Sequence, residues 1–134
     1  MGERVKWKRL TVQQFLGGRE TLFKVEGSLV IDGETFPITQ SSEVNSFFGV
    51  PDTILGILRE RDLLMGGEEF QHTICCEPRT QLIRGARVTV RIKQKGGWKN
   101  TICAATIEAD DPIQAYFTAI AAVVEMFLEI REKR

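Results

Sequence analysis

Apolar residues recur at every second position in several stretches of the chain. Phe23, Val25, Leu29 and Ile31 alternate with Lys24, Ser28 and Asp32, apart from a slip near Gly27 and Val30. Val88, Val90 and Ile92 alternate cleanly with Arg87, Thr89, Arg91 and Lys93. A period of two buries one face of a strand and wets the other. Strands are expected at 7–14, 22–31, 35–40, 69–76, 86–93 and 101–107. A glycine inside a strand marks a bulge, so Gly27 is expected to absorb the slip in 22–31. Asp32-Gly33 and Gly96-Gly97 read as hairpin turns. Pro37 has no N–H to donate, so its strand is expected at an edge or with a bulge.

Two other stretches carry the longer helical period. Ile54, Leu55, Ile57 and Leu58 form a stripe behind Pro51, which reads as a first helical residue followed by an acid, Asp52. Asp110-Asp111-Pro112 opens a second helix, with Pro112 first. Ile113, Tyr116, Phe117, Ile120, Val123, Val124 and Phe127 make one wide face. Ala115, Ala119, Met126 and Ile130 widen it, leaving Gln114, Thr118, Glu125 and Glu129 as the polar stripe. A helix this apolar is expected to be buried on more than one side, in the middle of the domain or at a subunit interface.

The order strand, strand, strand, helix therefore occurs twice. Gly33 aligns with Gly97, Ile38 with Ile102 and, after a small gap, Pro51 with Pro112. The fold class this predicts is α+β: two βββα units related by internal pseudo-symmetry, with antiparallel sheets packed on two helices. A single domain over 1–134 is expected, its units at about 5–65 and 68–131. Each unit alone leaves a sheet face bare, so the halves should pack together or against a second chain.

Composition narrows the function. Lys plus Arg equals Asp plus Glu at 18 each, for a formal net charge of zero. That disfavours nucleic-acid binding and gives little protection against self-association. Arg91, Lys93, Lys95, Trp98 and Lys99 form a basic hairpin tip, read as a solvated end before a nucleic-acid site, with the compensating acids mainly in helices and loops. The three cysteines, with no secretory leader, are expected to be reduced and the chain cytoplasmic. Cys75 and Cys76 are neighbours in a strand and point opposite ways, so a shared metal is not expected. His72 could meet Cys103 across the sheet, but a structural or surface histidine is the expected reading. No membrane span is expected, because the longest apolar run, 119–124, falls far short of about 18 residues. Phosphate-loop, zinc-protease and hydrolase motifs are missing from the sequence, so no cofactor, metal or catalytic residue is expected. Asp110 and Asp111 read as helix caps, since adjacent acids make a poor acid–base pair. The start at Gly49-Val50-Pro51 leaves first-turn N–H groups that could hold an anion.

A resemblance joins these pieces. A-R-V-T-V-R-I at 86–92, a glycine turn, A-D-D-P-I-Q-A at 109–115 and Y-F-T-A-I at 116–120 resemble the C-terminal regulatory domain of 2-isopropylmalate synthase and citramalate synthase. That family's pattern is two βββα units, with an A-x-V-x-L strand, a DG-type turn and a G-D-G-P-V-D-A helix start. G-V-P-D at 49–52 is a looser echo, and the likeness spans roughly residues 7–130. Ala109 and Asp111 replace helix-start glycines, and Gln114 replaces the final Asp. The resemblance implies a non-catalytic, dimeric regulatory domain that binds leucine, isoleucine or a similar small acid. Its ligand site would comprise Gly49, Pro51, Asp52, Ala109, Asp111, Pro112 and Ala115, while docking on a partner synthase belongs to the rival reading. The rival reading is a structural dimerisation or docking module without ligand. A double-stranded-RNA module is less favoured, because acids stand at the last helix start.

Overall fold

The computed structural model describes residues 4–17, 20–41, 49–64, 66–77, 85–94 and 101–133. They form two compact units, Met1–Leu64 and Met65–Arg134. The first holds strands β1 (Val5–Gly17), β2 (Glu20–Ile31) and β3 (Glu34–Ser41), then helix α1 (Gly49–Glu60). The second holds β4 (Glu68–Glu77), β5 (Gly85–Gln94) and β6 (Thr101–Ala109), then α2 (Pro112–Glu132). Each sheet is three-stranded and antiparallel, in the orders β1-β2-β3 and β4-β5-β6. The protein is thus α+β, built from two βββα units as the repeat predicts.

The strands run past the ends that apolar alternation marks. β1 has 13 residues because backbone pairing with β2 continues to Gly17, opposite Glu20, where the alternation has ended. Asp32 and Gly33 take φ of 51° and 82°, the positive values a two-residue type I′ turn requires. β3 is an edge strand, with Pro37 exposed on it, as its missing N–H demands.

The bulge lies on the partner of the strand where it is expected. β2 pairs continuously with β3 through Gly27, which stands opposite Ile38. The register shift falls in β1 between Lys8 and Thr11, with Arg9 at φ 55°. The apolar phase of β1 gives the reason. Val5 and Trp7 occupy odd positions, Leu10 and Val12 even ones, and one inserted residue keeps both pairs on one face. Gly27 is required because β1 crowds it: a Cβ there would stand 2.9 Å from the Leu10 Cα.

In the first unit Val25, Leu29, Ile31 and Ile38 of the sheet are fully buried. So are Val50, Ile54 and Leu58 of α1, which packs on β3. α1 begins two residues before Pro51, a correction to the expected start. Proline still sits within the first turn, whose N–H groups lack helical partners in any case. Pro112, by contrast, is the first residue of α2, as expected.

In the second unit α2 lies chiefly on β5 and β6. Val88, Val90 and Ile92 meet it with Phe117, Ile120 and Phe127 in a buried layer. Two positions depart from the expected helix faces: Glu125 is 9% exposed and Met126 is 41% exposed. A 21-residue helix runs about 31 Å, and its cover changes along that length. Ala115 and Ala119, on the Met126 side but nearer the start, are fully buried. α2 also corrects the membrane argument. An 18-residue window of it averages 1.5 in hydropathy, long and apolar enough to cross a bilayer, because Glu125 and Glu129 interrupt the run without making it polar. Its packing on its own sheet makes it a core helix of the second unit.

Candidate functional site

The residues singled out at helix starts fall into two sets, one in each unit. At α2, Asp111 is the N-cap, with extended backbone at φ −100° and ψ 115°. Its Oδ1 accepts from the Ile113 N–H at 3.0 Å, and its carbonyl accepts from the Ala115 N–H at 3.0 Å. The expected capping is therefore present, and it is Asp111 that performs it. An anion approaching this helix end would meet a carboxylate already bonded to the first turn. Ala115 is fully buried, while Ala109 and Pro112 are half-buried. At α1, Pro51 is buried beside Gly49 in the first turn, and Asp52 is exposed.

The thiol and phenol nearest to chemistry are held neutral. Cys103 is buried, and its Sγ donates to the Val123 carbonyl at 3.6 Å. Burial pushes its pKa up to about 11, so it stays a thiol at neutral pH. Burial likewise pushes the Tyr116 phenol well above its usual range. His72 does not pair with the Cys103 position. It stands opposite Val90, whose other neighbour is Ala105, while Cys103 stands opposite Ile92. β5 lies between them, so their backbones are two strand spacings, about 10 Å, apart. Cys75 and Cys76 lie in β4 opposite Arg87 and Ala86. No cluster of three or more metal-ligating side chains occurs among the described residues.

Charges on the second sheet are paired along its strands. Lys93 Nζ lies 3.1 Å from Glu69 Oε1, and Arg87 Nε lies 2.9 Å from Glu108 Oε1. These two partners stand on β4 and β6, although most of the chain's acids lie in helices or between elements, as expected. Lys95, Trp98 and Lys99 fall outside the described residues.

The first unit holds a feature the motifs do not flag. Lys6, Lys8 and Arg9 line a hollow of about 630 Å³, with Trp7, Val30, Gly33 and Thr35. The signal in the sequence is the row Arg4, Lys6, Lys8, Arg9, four cations in six positions of the first strand region. Arg4 serves elsewhere. Its Nε and Nη2 donate to the two Asp32 oxygens at 2.8 and 3.0 Å, and Arg61 Nη2 stands 3.6 Å from Asp32 Oδ2. Arg61 Nη1 also reaches Glu34 Oε2 at 3.1 Å. The Arg4 hydrogen bonds chiefly hold the Asp32 carboxyl below its usual value; partial burial opposes them, and the charges of Arg4 and Arg61 reinforce them.

No family model matches the chain, and no curated protein matches it.

Proposed function

We propose that this chain is a non-catalytic regulatory or docking module that works as a dimer. The observation that carries the reading is α2. It is apolar enough to be buried all round, yet 56% of its most apolar window is buried in the chain. Thr118 and Met126 are exposed, as are Gln114 and Glu129 of the polar stripe, and Ala121 and Ala122 are half-buried among them. Spaced by three and four residues, they form one helix face. Small residues at the middle let a second backbone approach, and the same face on two copies is the arrangement a two-fold pair requires. The held-down thiol of Cys103 and the capping duty of Asp111 support a binding role over a catalytic one. A free buried thiol also fits a reducing, cytoplasmic setting. Sedimentation velocity tests the reading: a species of twice the 15.1 kDa chain mass is expected. A monomer throughout the micromolar range contradicts it.

The doubled βββα order favours a second reading, an amino-acid-sensing domain like the one at the end of 2-isopropylmalate synthase. Asp111 and Ala115 weigh against a ligand at the α2 start, which leaves Gly49, Pro51 and Asp52 of α1. Calorimetry with leucine and isoleucine decides. Saturable heat that weakens in Asp52→Ala supports it, and no heat at millimolar ligand removes it.

A further inference from the structure

We infer that the hollow on the first unit binds a small anion, a polycarboxylate or a phosphate, carrying two or more negative charges. The period of two places Lys6 and Lys8 on one face of β1. The bulge then brings Arg9 to the same hollow. Among the described residues Lys6, Lys8 and Arg9 form no ion pair, and no carboxylate lines the hollow. Two acids that adjoin the lining residues are taken elsewhere: Asp32 by Arg4 and Arg61, and Glu34 by Arg61. Three like charges held together destabilise a surface unless something neutralises them.

The backbone at Arg9 adds an independent argument. A non-glycine residue at φ 55° is costly, and such residues persist where the surroundings enforce them. Gly27 leaves room for that backbone: a Cβ there would stand 2.9 Å from the Leu10 Cα and 3.4 Å from the Arg9 carbonyl oxygen. Bulges of this kind re-aim a side chain next to binding sites. The side chain re-aimed is a guanidinium, whose planar fork matches a carboxylate or phosphate through two parallel hydrogen bonds. Lys6 and Lys8 supply point charges, Val30 an apolar wall at 7% exposure, and Thr35 a hydroxyl.

The hollow's size and isolation favour a compact ligand over a polymer. Its volume of about 630 Å³ lies within the range of small-molecule sites, roughly 300–1,000 Å³. A nucleic-acid strand would need a track of cations leading away from it. The cations beside it are instead neutralised, Arg4 by Asp32 and Lys24 by Glu26 at 2.9 Å.

The site stands apart from the dimer reading, because a monomer that binds the anion, or a dimer that does not, separates the two. The test is calorimetry on the full chain in chloride buffer, with citrate and inorganic pyrophosphate as probes. One-to-one saturable binding of either is expected, and the tighter one tells carboxylate from phosphate recognition. Lys6→Gln with Lys8→Gln, and Arg9→Asn alone, should each weaken it about tenfold or more. Asparagine tolerates the left-handed backbone and so keeps the bulge. Lys24→Gln should leave the affinity unchanged. Amide signals of Lys6, Arg9 and Thr35 should shift on titration of the unaltered chain, which needs no variant to fold. The inference fails if neither probe saturates by about 10 mM. It fails equally if Lys24→Gln weakens binding as much, or if a short single-stranded oligonucleotide binds more tightly through the same three residues.

Discussion

The Asp111 carboxylate does one job with one bond: it holds the Ile113 N–H that the first turn of α2 leaves unpaired. Asp111→Ala should therefore cost about 1 kcal/mol, and Asp111→Asn should recover most of it. Urea unfolding of the two variants measures both, and an unchanged midpoint for alanine would show that the cap is not stabilising. The acid-acid-proline run made a cap legible in the sequence, because proline at a first helical position fixes where the cap must stand. It left open which acid served, since both precede Pro112 within reach of a free N–H. Arg9 was harder to read. The change of phase from Val5 and Trp7 to Leu10 and Val12 was visible, but Gly27 was the more conspicuous residue. A glycine opposite a bulge and a glycine inside one look alike until the partner strand is known.

At the scale of elements, the end of α2 is tied to the start of β4 by a buried ion pair. Arg131 Nη2 stands 3.1 Å from Glu68 Oε2, with the side chains 8% and 0% exposed. The guanidinium also lies over the Phe127 ring, 4.9 Å from its centroid. Removing one partner leaves the other charge buried, so Glu68→Ala should destabilise the protein by about 3–5 kcal/mol. Replacing both Glu68 and Arg131 by methionine should cost much less, because apolar side chains of similar volume need no desolvation. A double-mutant cycle in urea separates the two cases, and equal losses for single and double variants would contradict a coupled pair. Nothing in the sequence announces this contact. The two residues are 63 positions apart, and only the packing of α2 across the sheet brings them together. The wide apolar face of α2 was legible; the exchange of Glu125 and Met126 between inside and outside was not. Periodicity averages over a helix, whereas cover varies from turn to turn.

For the molecule as a whole, the doubled order of strands and helix carried the architecture. The Asp32-Gly33 turn and a proline in the first turn of each helix pointed to two βββα units, because each of these signals has a local backbone cause; Gly96-Gly97 lies outside the described residues. The candidate sites were less legible. Helix starts drew notice as proline motifs, while the hollow on the first sheet depends on a register shift and on Arg4 being taken by Asp32. Both are products of pairing between strands and cannot be read along one of them. The proposal that ties α2 to function is that its exposed face joins two copies of the chain. The most direct test is the solution mass of Met126→Glu beside that of the unaltered protein, with circular dichroism to confirm that both are folded. A charge at a residue already 41% exposed should leave the fold intact. The account predicts a dimer for the unaltered chain and a folded monomer for the variant; a folded dimer in both would contradict it.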